Sequence, residues 1–170
     1  FGVAAIMAEE TEVSFVEFAN AGTKFETEIE VYNKLTIQNW SGMFKLGERQ
    51  YILPKTKTLS AGDTNQTLYF LLNGQVRTEH HAEDAVTVLA NFPSGCIFGE
   101  MLILDGDAVS AYVITTSMVE VLKFDKADLD ELVNADQSFG LRFFQSLALG
   151  LSRRLRATNL LVGSTDNLSL

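Results

Sequence analysis

A chain of 170 residues with 46% hydrophobic and 21% charged residues has the composition of an ordinary globular domain, long enough to bury one sizeable core. Its net charge of −9 argues against a nucleic-acid partner, because such surfaces cluster Lys and Arg and the one basic cluster here is Arg153, Arg154 and Arg156. The single cysteine, Cys96, rules out an internal disulfide and reads as a small buried hydrophobe in a reducing, cytoplasmic compartment.

The opening run Phe1-Gly2-Val3-Ala4-Ala5-Ile6-Met7 is too short to cross a bilayer and lacks the charged flank of a signal peptide. Because the chain opens on Phe, it reads as a piece of something longer, with a membrane segment or effector domain attached outside it. Apolar residues at helical spacing, Val13, Phe15, Val16 and Phe18 and then Phe25, Ile29, Val31, Tyr32 and Leu35, predict helices over about 11–20 and 25–35. A third, short helix is expected around 36–44.

From Gln50 the period changes to that of short strands: 50–53, 57–59, 67–72, 75–78, 86–90, 109–115 and 118–124. Turn residues separate them at Pro54, Gly62-Asp63, Asn73-Gly74 and Pro93-Ser94-Gly95, with Asn73-Gly74 the strongest hairpin signal. Short strands at this spacing predict a mainly β fold, an antiparallel β-roll of the jelly-roll type, with helices on its flanks and a cavity open at one side. His80 and His81 invite a metal reading, but neighbouring strand residues point to opposite faces and cannot hold one ion. No Ser-His-Asp, Cys-His or Walker-type arrangement is present, so no enzyme is expected. Alternation places Arg77 on the outer, solvated side of its strand.

The most informative stretch runs from Gly95 to Val113. Gly99 lets the backbone approach a ligand closely, and the short helical turn predicted after it, from Glu100 to Leu104, aims unpaired N–H groups at the same spot. Glu100 there can accept hydrogen bonds from a pair of hydroxyls, as a carboxylate does on a ribose. The residues singled out as lining a binding loop are Phe98, Gly99, Glu100, Met101, Leu102, Val109, Ser110 and Ala111. A wall of Phe98, Met101, Leu102 and Val109 also suits a more apolar guest.

Phe98-Gly99-Glu100 with Ser110-Ala111, preceded by Ala61-Gly62-Asp63 and Leu68 to Val76 and followed by Val119-Glu120-Val121-Leu122, resembles the phosphate-binding cassette and β-roll of cyclic-nucleotide-binding domains. The resemblance spans about 51–155 and rests on the ordered glycines at 62, 74, 95 and 99. It implies a ligand such as cyclic AMP or cyclic GMP, and an N-terminal helical segment that rides on the roll and shifts when ligand binds. In ligand-binding members of that family an arginine sits just before the Ser/Thr-Ala pair and pairs with the cyclic phosphate; here Val109 stands there. A charge-assisted hydrogen bond of this kind contributes about 1.5–3 kcal/mol, so its absence weakens binding by roughly ten- to a hundred-fold.

After the roll, Asp125 is the predicted N-cap of a helix with acids in its first turns. A long amphipathic helix from Gln137 to Leu161 then places Phe143, Phe144, Leu147, Leu151 and Leu155 on one stripe, interrupted by Gly140 and Gly150. The resemblance makes this helix a lid over the ligand and the seam of a homodimer. No helix-turn-helix follows it. The chain thus divides into helical residues 1–46, a roll over 47–124 with its loop at 95–111, helices over 125–163 and a polar tail at 164–170. Two functions fit: a non-enzymatic sensor coupling a small-ligand pocket to the last helix, or a degenerate roll acting as a dimerisation or interaction domain of a channel, transporter or other effector.

Overall fold

The computed structural model describes residues 32 and 34–165, with the side chains of 160–165 excepted. The helices expected over 11–20 and most of 25–35 lie outside the described residues. Among the described residues twelve elements occur in order: α1 (Ile37–Leu46), β1 (Glu48–Ile52), β2 (Lys57–Leu59), β3 (Thr67–Asn73), β4 (Gln75–His81), β5 (Val86–Pro93), β6 (Ile97–Phe98), α2 (Glu100–Asp105), β7 (Tyr112–Thr115), β8 (Val119–Asp125), α3 (Lys126–Ala135) and α4 (Gln137–Thr165). The eight strands form two antiparallel four-stranded sheets, in the orders β1-β8-β3-β6 and β2-β7-β4-β5. This is an antiparallel β-roll with flanking helices and a long C-terminal helix.

The pair β3–β8 explains the layering. Both strands are apolar on both faces, which is why Leu68-Tyr69-Phe70-Leu71-Leu72 reads as a continuous hydrophobic run rather than an alternation. Leu68, Phe70, Leu72, Leu122 and Phe124 pack outward against the helices, in one cluster with Trp40, Met43, Phe139, Phe143 and Leu147. Leu71, Val119 and Val121 face the other way, into the roll, where they meet Leu59, Val76, Phe98 and Val113 from the opposite sheet and β6. Each fully buried Phe or Leu contributes about 1.5–3 kcal/mol, so the helices are held by the sheet rather than by their own propensity.

Asn73-Gly74 is not a hairpin, contrary to the expectation from its sequence. β3 and β4 belong to different sheets, and this turn is a corner by which the chain crosses between them. The corner lies against the second crossing, from β7 to β8: Gln75 N–H donates to Ser117 Oγ, and Thr116 N–H donates to the Gln75 carbonyl. Gly74 has φ +92° and a Cβ there would lie 2.5 Å from the Met118 carbonyl oxygen, so glycine is dictated by the corner itself. The true hairpin is β4–β5, closed by Ala82 N–H to the Ala85 carbonyl around the acidic pair Glu83-Asp84.

The helices are capped and tied together by few groups. Thr36 and Asn39 form a capping box for α1, and Asp125 with Asp128 forms another for α3. Asp136 starts α4; hydrogen bonds from the Ser138 hydroxyl, and then from backbone amides and Asn39, hold its carboxyl below the usual range although burial opposes this. Buried Asn39 thereby links α1 to the α3–α4 junction, where it also accepts from Arg142. Gly140 marks a close approach: a Cβ there would meet Val133 Cγ1 of α3 at 2.9 Å. Among the described residues no helix is long and apolar enough to cross a membrane.

The stripe expected on the last helix separates into two faces. Phe143 and Leu147 are buried against the roll, whereas Phe144 and Leu155 are exposed with Leu141 and Leu149, because the helix turns by 100° per residue and 143 and 144 cannot share a face. The helix also continues through Thr165, past the polar residues expected to end it.

Gly47, between α1 and β1, is fixed by space rather than by conformation. A Cβ there would lie 2.6 Å from Leu122 Cγ and 2.7 Å from Phe124 Cζ. Gly47→Ala should therefore lower unfolding free energy by about 1–3 kcal/mol, read as a lower urea midpoint at unchanged slope. An unchanged midpoint would mean that the α1–β1 turn does not press on the core.

Candidate functional site

The loop at 95–111 is built by glycines at its two bends. Gly99 has φ +83° and caps α2 in a left-handed conformation; Gly106, φ +74°, ends it, with its N–H donating to the Leu102 carbonyl. The reason for Gly99 is specific: a Cβ would collide with the Thr67 carbonyl oxygen of β3. The loop therefore leaves β6 tight against the sheet and turns α2 outward at once.

The strand expected over 109–115 begins only at Tyr112. Val109 is instead bonded to the Gly62-Asp63 turn, accepting from Gly62 N–H and donating to the Asp63 carbonyl, each at 2.9 Å. That pairing holds Ser110 and Ala111 out of the sheet and beside α2.

A cavity of about 310 Å³ opens between this loop and the second sheet. All eight residues singled out from the sequence lie in its wall, joined by Leu59, Thr78, Phe92, Val113 and the acidic pair Asp105 and Asp107. Glu100 is only 4% exposed. Arg77 is elsewhere: it pairs with Glu79 on the outer face of β4, as alternation from Thr78 requires.

Of the wall residues that the sequence reading did not single out, one carries a positive charge. Arg154, on α4, reaches into the site, where its Nη1 donates to Glu100 Oε1 at 2.5 Å and its Nη2 to the Ile97 carbonyl at 2.6 Å. Its guanidinium lies 4.8 Å from the Phe92 ring centroid, and its Nε is buried without a hydrogen-bond partner. The sequence read Arg154 with Arg153 and Arg156 as a basic helix end. The signal that distinguishes it is periodicity: 143, 147, 150 and 154 continue the inward face, and Arg154 is an arginine at a core position.

α2 is joined to the helical layer from its other side. Ile103 packs against the cluster containing Phe139, Phe143 and Leu147. The loop helix is thus tied to the helical layer by an apolar contact and to α4 by the Arg154–Glu100 pair.

An antiparallel roll with a glycine-bounded loop and short helix, followed by a long C-terminal helix, defines the β-roll class of domain. Residues 50–136, just over half the chain, match the family model of the cyclic nucleotide-binding domain, and the chain belongs to that family. No curated protein sequence matches it significantly. Among solved structures, a cyclic nucleotide-binding domain from Methylobacillus flagellatus is similar at 21% identity and TM-score 0.71, over 81% of this chain and 82% of its own. The catabolite activator protein of Thermus thermophilus is similar at 25% identity and TM-score 0.66, over 80% of this chain and 62% of that one. The c-di-GMP-responsive global regulator CLP of Xanthomonas campestris is similar at 23% identity and TM-score 0.67, over 73% and 61%. The chain spans just under two thirds of the length of these two regulators.

On the outer face of β4, Glu79 is 3% exposed and meets Arg77 and His81, whose ring lies 4.3 Å from that of Tyr112. The His81 hydrogen bond, and after it the Arg77 contact, hold the Glu79 carboxyl below the usual carboxylate range despite its burial. Since the folded value is the lower one, its stabilisation is present above the ordinary range, about pH 4.3, and is lost as pH falls through and below it. Glu79→Gln should be less stable than the parent at pH 7 and show a shallower loss of stability from about pH 5 downward. Equal acid slopes in urea titrations of the two proteins would remove this assignment.

Proposed function

We propose that the chain is a non-enzymatic, cytoplasmic sensor module that binds a small ligand of the cyclic-nucleotide class in the cavity between Phe98 and Ala111 and reports its occupancy through α4. The observation that carries this reading is the cavity itself, about 310 Å³ and bounded by the loop residues of the family's cassette with a buried carboxylate in its wall. Glu100 holds the ribose hydroxyls, Gly99 and the N–H groups of Met101 and Leu102 face the phosphate, and Ser110 and Ala111 close the cradle. The ligand leaves unchanged. Coupling is supported by Ile103: any displacement of α2 is felt in the cluster that holds α4.

Calorimetric titration with cyclic AMP and cyclic GMP tests the ligand class. Binding is expected, weakened by Val109, and Val109→Arg should tighten it by roughly ten- to a hundred-fold. Neither heat nor a thermal shift at millimolar nucleotide would discard the sensor reading for those ligands and leave a degenerate roll that acts as an interaction domain.

The outward face of α4 supports a second copy of the chain as partner. Leu141, Phe144, Ala148, Leu151 and Leu155 follow the three-four spacing of a coiled-coil seam, and Leu141 and Leu155 are each 63% exposed. Sedimentation should find a homodimer that Leu141→Asp with Leu155→Asp converts to a folded monomer. A monomeric parent protein at tens of micromolar would exclude this seam.

A further inference from the structure

We propose that Arg154 is the ligand's cationic partner, a specificity-determining residue that supplies from α4 the charge that the cassette lacks at Val109. This rests on the cavity being the ligand site. Among the described residues, Arg154 is the only Lys or Arg in the cavity wall, where the other charged groups are Glu100, Asp105 and Asp107. An anion entering between three carboxylates needs a cation, and the guanidinium is the group placed to provide one. It is also prepared for an acceptor. Nη1 gives one N–H to Glu100 and Nη2 one to Ile97, which leaves each a second N–H for an acceptor, and the buried Nε has no hydrogen-bond partner. The Phe92 ring, its centroid 4.8 Å from the guanidinium carbon, flanks the fork beside the cavity.

Arg154 forms wall rather than plug, since a space of about 310 Å³ remains with the arginine in place. A phosphate that shares the fork with Glu100 adds a second charged acceptor, and the ligand's hydroxyls make up the hydrogen bonds that the nearly buried carboxylate gives up, since leaving it without partners is costly. Glu100 is thereby released toward hydroxyl donors. The consequence differs from that of an arginine in the loop: a ligand held by Arg154 bridges roll and helix, so its affinity depends directly on where α4 lies.

The test is titration of the full chain with cyclic AMP, cyclic GMP and the uncharged control adenosine, in the parent, Arg154→Gln and Arg154→Gln with Val109→Arg. Arg154→Gln should lose roughly ten- to a hundred-fold in affinity for both nucleotides and leave adenosine within about three-fold. Adding Val109→Arg should restore nucleotide binding, which also establishes that the single variant is folded. The ligand should slow hydrogen exchange at residues 150–158 in the parent and no longer do so in that double variant. Nucleotide binding as tight or tighter in Arg154→Gln overturns the proposal and makes Arg154 a competitor for Glu100. Adenosine binding alone in the parent overturns it while the pocket stands, and no binding of any probe overturns both.

Discussion

β3 and β8 carry apolar side chains on both faces, and that constraint propagates through the whole molecule. One face needs a second sheet, which closes the roll; the other needs helices, which α1, α3 and α4 supply. A single strand pair thus belongs to two cores at once. Because the helical core extends from Phe139 to Leu147, α4 is held along its first three turns, and its later turns are projected over β6 and the loop. Arg154 lies two turns, about 10 Å, beyond Leu147 on the same face, and so falls on Ile97 and Glu100.

The Arg154–Glu100 contact owes its meaning to this placement and not to its strength. Glu100 is nearly inaccessible while the arginine side chain is about a quarter exposed, so the Coulomb attraction is offset by desolvation of the carboxylate and partly screened at the guanidinium. The apolar contact of Ile103 with the helical cluster is the non-directional counterpart. Together they give α2 an apolar connection to the helical cluster and a charged one to α4, and the two respond to different disturbances. A shift of α2 unpacks the first, whereas an added anion redistributes the second.

Much of the fold was legible because strand alternation, turn glycines and helix caps are local signals. The cap at Asp125, the bend at Gly99 and the change of period at Gln50 are all read within a few residues. The features that were not legible depended on pairing across the chain. Asn73-Gly74 has hairpin chemistry, yet the partner of Gly74 is a corner some forty residues later, so the same dipeptide turns the chain between sheets. β6 is two residues long and exists only because β3 offers an edge. The eight loop residues share one cavity wall, but Arg154, a further wall residue, was hidden in a basic triplet whose charge drew attention away from its phase on the helix.

Magnitudes limit what one charge can do to the position of α4. A charge-assisted hydrogen bond differs by about 1.5–3 kcal/mol between being made and lost, whereas moving a helix from one position in a hundred molecules to ninety-nine in a hundred takes about 5.5 kcal/mol. Arg154 alone would therefore bias the helix without throwing it fully. The remainder has to come from apolar packing, and Ile103, which leaves or enters a cluster that includes Phe143 and Leu147, is of the right size at about 1.5–3 kcal/mol. An arginine in the loop would leave that apolar term to carry the whole transition. With the arginine on the helix, the proposed ligand contact would act on α4 directly and add to the apolar term, whereas a cation in the loop would reach the helix only through packing.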